Sequence, residues 1–180
     1  MKKLTAFFRR IYRLSTFRKY EDVVWKKLKK FLSKRGYHCG IYEDAKYIAI
    51  THLIEENKPV YFYYGISEDG FMYCDAIVLK DFPEELTTDF FIMASHFNNS
   101  LPLYRGKVII DVHSQQVIYR RDLGILYPLV LDDHFSYFVD DHYDIMQDIH
   151  WAFDKLVEEQ EDPAIVFADL MRMKEEQANN

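Results

Sequence analysis

The chain has 180 residues, 49% hydrophobic, 17% aromatic and 29% charged, with 6 Gly and 5 Pro; this length holds one domain with a helix to spare, and this composition excludes a disordered, collagen-like or low-complexity chain. The net charge of -6 conceals a strong asymmetry, because residues 1–35 carry 13 of the 23 Lys and Arg but only Glu21 and Asp22 among the 29 acids, leaving that segment at +11 and the other 145 residues at -17. Charges break every apolar stretch within about eight residues, far short of the roughly 20 that a bilayer-spanning helix needs.

Residues 4–14 place Leu4, Phe7, Phe8, Ile11, Tyr12 and Leu14 within about 160° of arc on a helical wheel, with Arg9, Arg10 and Arg13 opposite. The spacing predicts a basic amphipathic helix, set apart as residues 1–19. MKKLTAFFRR opens as a secretory leader does, but Arg9 and Arg10 cut the apolar run short, so export by that route is not expected. A second helix is predicted from Tyr20 to Arg35, with Val24, Leu28 and Phe31 on one face, Lys26, Lys27, Lys29 and Lys30 on a solvated face, and Gly36 as its stop.

Beyond Gly36 the apolar period shortens to two, at Tyr47–Ile50, Pro59–Tyr64 and Phe71–Leu79, predicting three strands. Ser67, Glu68, Asp69 and Gly70 form the hairpin loop between the last two. Leu86, Phe90, Met93 and Phe97, four, three and four apart, define a middle helix closed by Asn98 and Asn99. Tyr104–Val112 and Gln116–Arg121 read as a second hairpin, and Leu131, Phe135 and Phe138 as a short helix. A longer helix follows from Asp141 to about Glu159 with Ile145, Ile149, Ala152 and Leu156 inward. Asp162 and Pro163 start a last helix, assigned to residues 161–180. The order α-α-β-β-β-α-β-β-α-α predicts an α+β domain at residues 20–160: an antiparallel five-stranded sheet with helices on one face.

Several chemistries fail on residue types. The acidic tract containing Asp132, Asp133, His134, Asp140, Asp141, His142, Asp144, Asp148 and His150 has metal-ligand residues at close spacing, yet it lacks four converging ligands with second partners. Acids placed at helix starts, where they complement the macrodipole, explain it better. Asp140, Asp141 and Asp144 also spell D-D-x-x-D, but the enzymes that use that pattern for magnesium are much longer helical bundles. The glycines make no G-x-G-x-x-G and no complete P-loop, and there is no G-x-S-x-G. Cys39 and Cys74 stand 34 residues apart with no C-x-x-C, which fits two free thiols in a reducing compartment. No cofactor, metal or catalytic set is expected. Tyr61, Phe62, Tyr63 and Tyr64 have the ring types that stack nucleic acid bases, but the acidic excess around them opposes phosphate binding, so no nucleic acid is expected. A strand with one aromatic pair in the core and the other against a partner is the better reading.

Residues 20–160 resemble the YbjN-type family, whose domains share the fold of the small type III secretion chaperones. The resemblance rests on Phe31-Leu32-Ser33-Lys34-Arg35-Gly36-Tyr37, on Ala94–Asn99 with its Phe97-Asn98-Asn99, on Gly106-Lys107-Val108-Ile109-Ile110-Asp111, and on Phe153 and Leu156. It implies a non-enzymatic α+β module, a regulator or chaperone-like binder that is often dimeric, and offers no catalytic residues to carry over. The expected function is therefore protein binding by a cytoplasmic module, a homodimer or client binder, through Tyr61, Phe62, Tyr63 and Tyr64. The alternative is a peripheral membrane protein held by Lys2, Lys3, Arg9, Arg10 and Arg13, at roughly 1 kcal/mol per basic residue near an anionic surface.

Overall fold

The computed structural model describes residues 20–55, 58–100, 105–125 and 133–179. Helix α1 (residues 20–34) precedes four strands, β1 (Cys39–Tyr42), β2 (Tyr47–Glu55), β3 (Lys58–Ile66) and β4 (Phe71–Lys80). A 3-10 turn at Glu84–Leu86 leads into α2 (Thr87–Asn99); then come β5 (Lys107–Asp111), β6 (Gln116–Gly124), α3 (Asp133–Glu159) and α4 (Pro163–Ala178). All strand pairs are antiparallel and the spatial order is β1-β2-β3-β4-β6-β5. After β4 the chain crosses through α2 to the far edge as β5, and β6 returns between β5 and β4.

Local chemistry fixes the joints. Between β3 and β4, Ser67 N–H donates to the Phe71 carbonyl at 2.8 Å and Gly70 N–H to the Ser67 carbonyl at 3.1 Å, with Gly70 at φ 84°, a conformation that costs glycine little. Before β6, the Asp111 carboxylate accepts from the N–H groups of His113 and Ser114 at 3.0 and 3.2 Å. Asp162 caps α4 by accepting from Ala164 N–H at 2.8 Å, with Pro163 in the first turn. At the β5 edge, the Asn98 side chain accepts from Val108 N–H at 2.8 Å and donates to the Val108 carbonyl at 3.0 Å, so one amide takes the place of a further strand.

The core lies between the sheet and α1, α2 and α3. Ile48, Ile50, Val60, Phe62, Tyr64, Met72, Cys74, Ala76, Val117 and Tyr119 point to this inner face and are buried. They meet Val24, Leu28 and Leu32 of α1, Phe90, Met93 and Phe97 of α2, and Phe138, Met146, Ile149 and Phe153 of α3. His142 of α3 stacks on Tyr119 at 4.7 Å between ring centroids and meets Phe62 edge-on at 5.7 Å. Helix α4 forms a second layer on α2 and α3, with Phe167 against His96 and Phe97.

The α+β class and the antiparallel sheet are as expected from the sequence, but the sheet has six strands, not five. The additional one is β1: four residues including a glycine, exposed from Gly40 to Tyr42, show no alternation and form a strand through pairing with β2 rather than through burial. The helix order also differs. The two segments expected at 131–139 and 141–159 are one helix, α3. Asp140, Asp141, Asp144 and Asp148 therefore sit within a helix and not at its start, and the macrodipole does not account for them. Three are met by cations from elsewhere: Asp140 by Arg35 at 2.6 Å, Asp148 by Lys174 at 2.5 Å, and Asp141 by Arg105 at 4.0 Å. The helix expected over residues 4–14, and with it Lys2, Lys3, Arg9, Arg10 and Arg13, lies outside the described residues.

Candidate interaction surface

Strand alternation sends every other residue of the sheet away from the helices. Register then arranges these outer residues in cross-strand rows. At one end stand Tyr42, Tyr47, Gly65, Tyr73 and Asp122; next come Gly40, Ala49, Tyr63, Asp75, Arg120 and Lys107; then Thr51, Tyr61, Ile77, Ile118 and Ile109. The outer face is thus an aromatic end and an aliphatic row, with one ion pair between them. Among the described residues no helix packs on it.

The aromatic end is built by contact. Tyr42 stacks on Tyr47 at 4.3 Å, and Tyr47 lies 6.3 Å from Tyr63. Tyr73 lays its ring across Gly65 so closely that a Cβ at residue 65 would overlap it, which is why the strand carries glycine there. Tyr42 is 50% exposed, while Tyr47, Tyr61, Tyr63, Tyr73, Ile77 and Ile118 are half-buried. Burial pushes the Tyr47 and Tyr73 phenols above their usual pKa, and the Asp75 charge adds to the effect at Tyr73. In the middle row Arg120 grips Asp75 with two bonds of 2.6 Å, and this raises the guanidinium pKa further. Lys80 holds its ammonium 3.6 Å from the Tyr61 ring centre. Asp75 is thus neutralised by Arg120 within the face, and apolar area lies on either side of the pair.

The four aromatic residues expected to bind a partner divide by parity. Phe62 and Tyr64 are 1% and 3% exposed, facing α3 in the core, and cannot touch a partner. Tyr61 and Tyr63 lie on the outer face. Tyr42, Tyr47, Tyr73, Ile77, Ile109 and Ile118 complete the surface and were not singled out from sequence. The signal was available as the odd-numbered positions of β4, but only the register aligns them with Tyr61 and Tyr63.

Two other places bear titratable groups. Inside the core, Tyr64 hydrogen-bonds Cys74, and burial pushes both well above their usual pKa. His142 is wholly buried, neither ring nitrogen has a hydrogen-bond partner, and burial followed by the Arg121 charge holds it well below its usual range. With no opening to it, this group is a packing element. Between α3 and α4 an open cleft of about 350 Å³ is lined by Asp148, His150, Trp151, Met173 and Lys174. Burial raises the Asp148 carboxyl while Lys174 opposes the rise, and that ion pair occupies the polar floor of the cleft. Among the described residues there is no group of three or more His, Cys, Asp or Glu able to hold a metal ion, and no helix long and apolar enough to cross a membrane. Compared with known proteins, the chain matches no family model, no curated protein and no solved structure.

Proposed function

We propose that this protein is a non-enzymatic binding module, chaperone-like or regulatory, that holds another protein, a second subunit or a client, on the outer face of its sheet. The observation that carries the reading is the outer face itself. Tyrosine and isoleucine side chains form a continuous patch around an internally neutralised ion pair, and aromatic anchors framed by satisfied polar groups are the composition of protein interfaces. A YbjN-type relationship and a cytoplasmic location belong to the same proposal. The first is supported by the succession of a helix, antiparallel hairpins, a middle helix, a hairpin and a long helix.

Photo-crosslinking in cells tests it. A benzophenone side chain at Tyr63 or Tyr73 is expected to give adducts heavier than one chain, whereas the same probe at the exposed Ala168 of α4 is not. Tyr61→Ser with Tyr63→Ser should abolish the adducts formed from Tyr73. Absence of heavier adducts from both outer-face positions discards the reading.

A further inference from the structure

We propose that residues 4–14 of this chain dock as an amphipathic helix on the aromatic end of the outer sheet face, so that the binding surface carries a tethered occupant of its own. The regulatory consequence, competition with a partner, rests on the function proposed above; the docking itself does not.

The starting point of the segment is fixed by the structure. In the first turns of α1, Glu21 and Asp22 receive the Lys46 ammonium at 2.5 and 3.1 Å, and the Trp25 indole donates to Glu43 at 2.8 Å. Glu43 and Lys46 belong to the turn joining β1 and β2. The chain therefore enters α1 at the end of the sheet where Tyr42 and Tyr47 stack on the outer face, beside the short edge strand β1. Residues 15–19 reach up to about 17 Å when extended, enough to round that edge. A helix of residues 4–14 is about 16 Å long, and strands lie about 4.8 Å apart, so it covers the width from β1 to β4. That width holds Tyr42, Tyr47, Tyr63 and Tyr73.

The two surfaces complete each other. The segment presents Leu4, Phe7, Phe8, Ile11, Tyr12 and Leu14 on one side, and at this length it forms no stable helix alone in water. The sheet face is apolar and uncovered among the described residues. With the stripe turned inward, Arg9, Arg10 and Arg13 face solvent and are not forced against Arg120, whose charge Asp75 already neutralises. A five-residue tether gives the segment an effective concentration in the millimolar range, so a partner displaces it by binding the face more tightly than the segment does, and the segment screens out weaker binders.

The test uses the full chain with isoleucine methyl groups isotopically labelled, a nitroxide attached at Arg9→Cys, and Cys39→Ser to remove the half-exposed thiol. Expected is loss of most of the Ile77 and Ile118 methyl intensity, with Ile165 on the exposed side of α4 and Ile149 in the core retained. Phe8→Asp with Ile11→Asp in the same chain should restore the lost signals with the Ile149 and Ile165 methyl resonances unshifted, the mark of an intact fold. The inference is overturned if Ile77 and Ile118 keep their intensity, or if the double Asp variant still loses it. It is equally overturned if broadening arises in a mixture where nitroxide and isotope are on different chains, which assigns the contact to a second copy. Retained intensity with flotation on phosphatidylserine-containing vesicles assigns the segment to a membrane instead. Crosslinks from Tyr63 to another protein without methyl broadening overturn this inference and spare the proposed function; broadening without crosslinks does the reverse.

Discussion

The two faces of the sheet are drawn from the same strands and differ only in parity, yet they have opposite chemistry. Inward, Phe62, Cys74, Ala76 and Tyr119 are sealed from water, and even a histidine, His142, is accepted there without a hydrogen bond. Outward, Tyr61, Tyr63, Ile77 and Ile118 are half-buried, and Asp75 and Arg120 pair directly across neighbouring strands. The sealed core thus lies on one face, while the side chains of the other keep part of their area open to solvent. A surface whose side chains contribute little to folding can be used for recognition without jeopardising the fold.

The sharpest way to break the comparison is to truncate neighbours on β3. Phe62→Ala leaves a core cavity and should cost about 3–5 kcal/mol in urea unfolding, whereas Tyr63→Ala, one residue on, should cost less than about 1 kcal/mol. Similar losses at both positions would show the outer face to be a second core. Gly65→Ala comes next. Its methyl group displaces the Tyr73 ring and should destabilise by about 1–3 kcal/mol, a cost that Tyr73→Ala in the same chain should largely remove.

A substitution at His142 stabilises instead. His142→Leu exchanges an unpartnered imidazole for an apolar side chain of similar size and should raise stability by about 1–2 kcal/mol at neutral pH. The gain should widen in acid. His142 is held well below its usual 6.5, so the unfolded chain takes up a proton that the native state refuses. This residue's contribution is therefore complete above about pH 6.5 and declines as the pH falls below it. Unfolding measured across that range should show a flatter acid limb for His142→Leu. His52, lowered by burial alone, slopes in the same direction and remains in both proteins. The smallest effect belongs to the outer ion pair. A double-mutant cycle of Asp75→Ala and Arg120→Ala should give a coupling of about 0.5–1 kcal/mol that fades with added salt.

Where local spacing decides structure, the sequence was legible. Leu86, Phe90, Met93 and Phe97 mark the buried side of the middle helix, all four are buried, and Ser67–Gly70 makes the expected reversal. Where a partner distant in the chain decides, it was not. The joining of residues 133–159 into one helix places Asp140 against Arg35, 105 residues away, and no local pattern contains that pairing. Strand β1 is likewise a product of β2. Nor could Tyr61–Tyr64 declare their inward pair, because all four rings are large and aromatic; the positions of Ala76, Cys74 and His142 settle it.

The Asn98 clip has a consequence for assembly. Only Val108 and Ile110 of β5 turn their peptide groups outward, and at Val108 donor and acceptor are already engaged by the side chain of α2. An extended chain arriving there finds half of its template taken. The side chain of α2 thus acts as a guard on the edge strand, opposing there the edge-to-edge pairing through which sheets grow into aggregates.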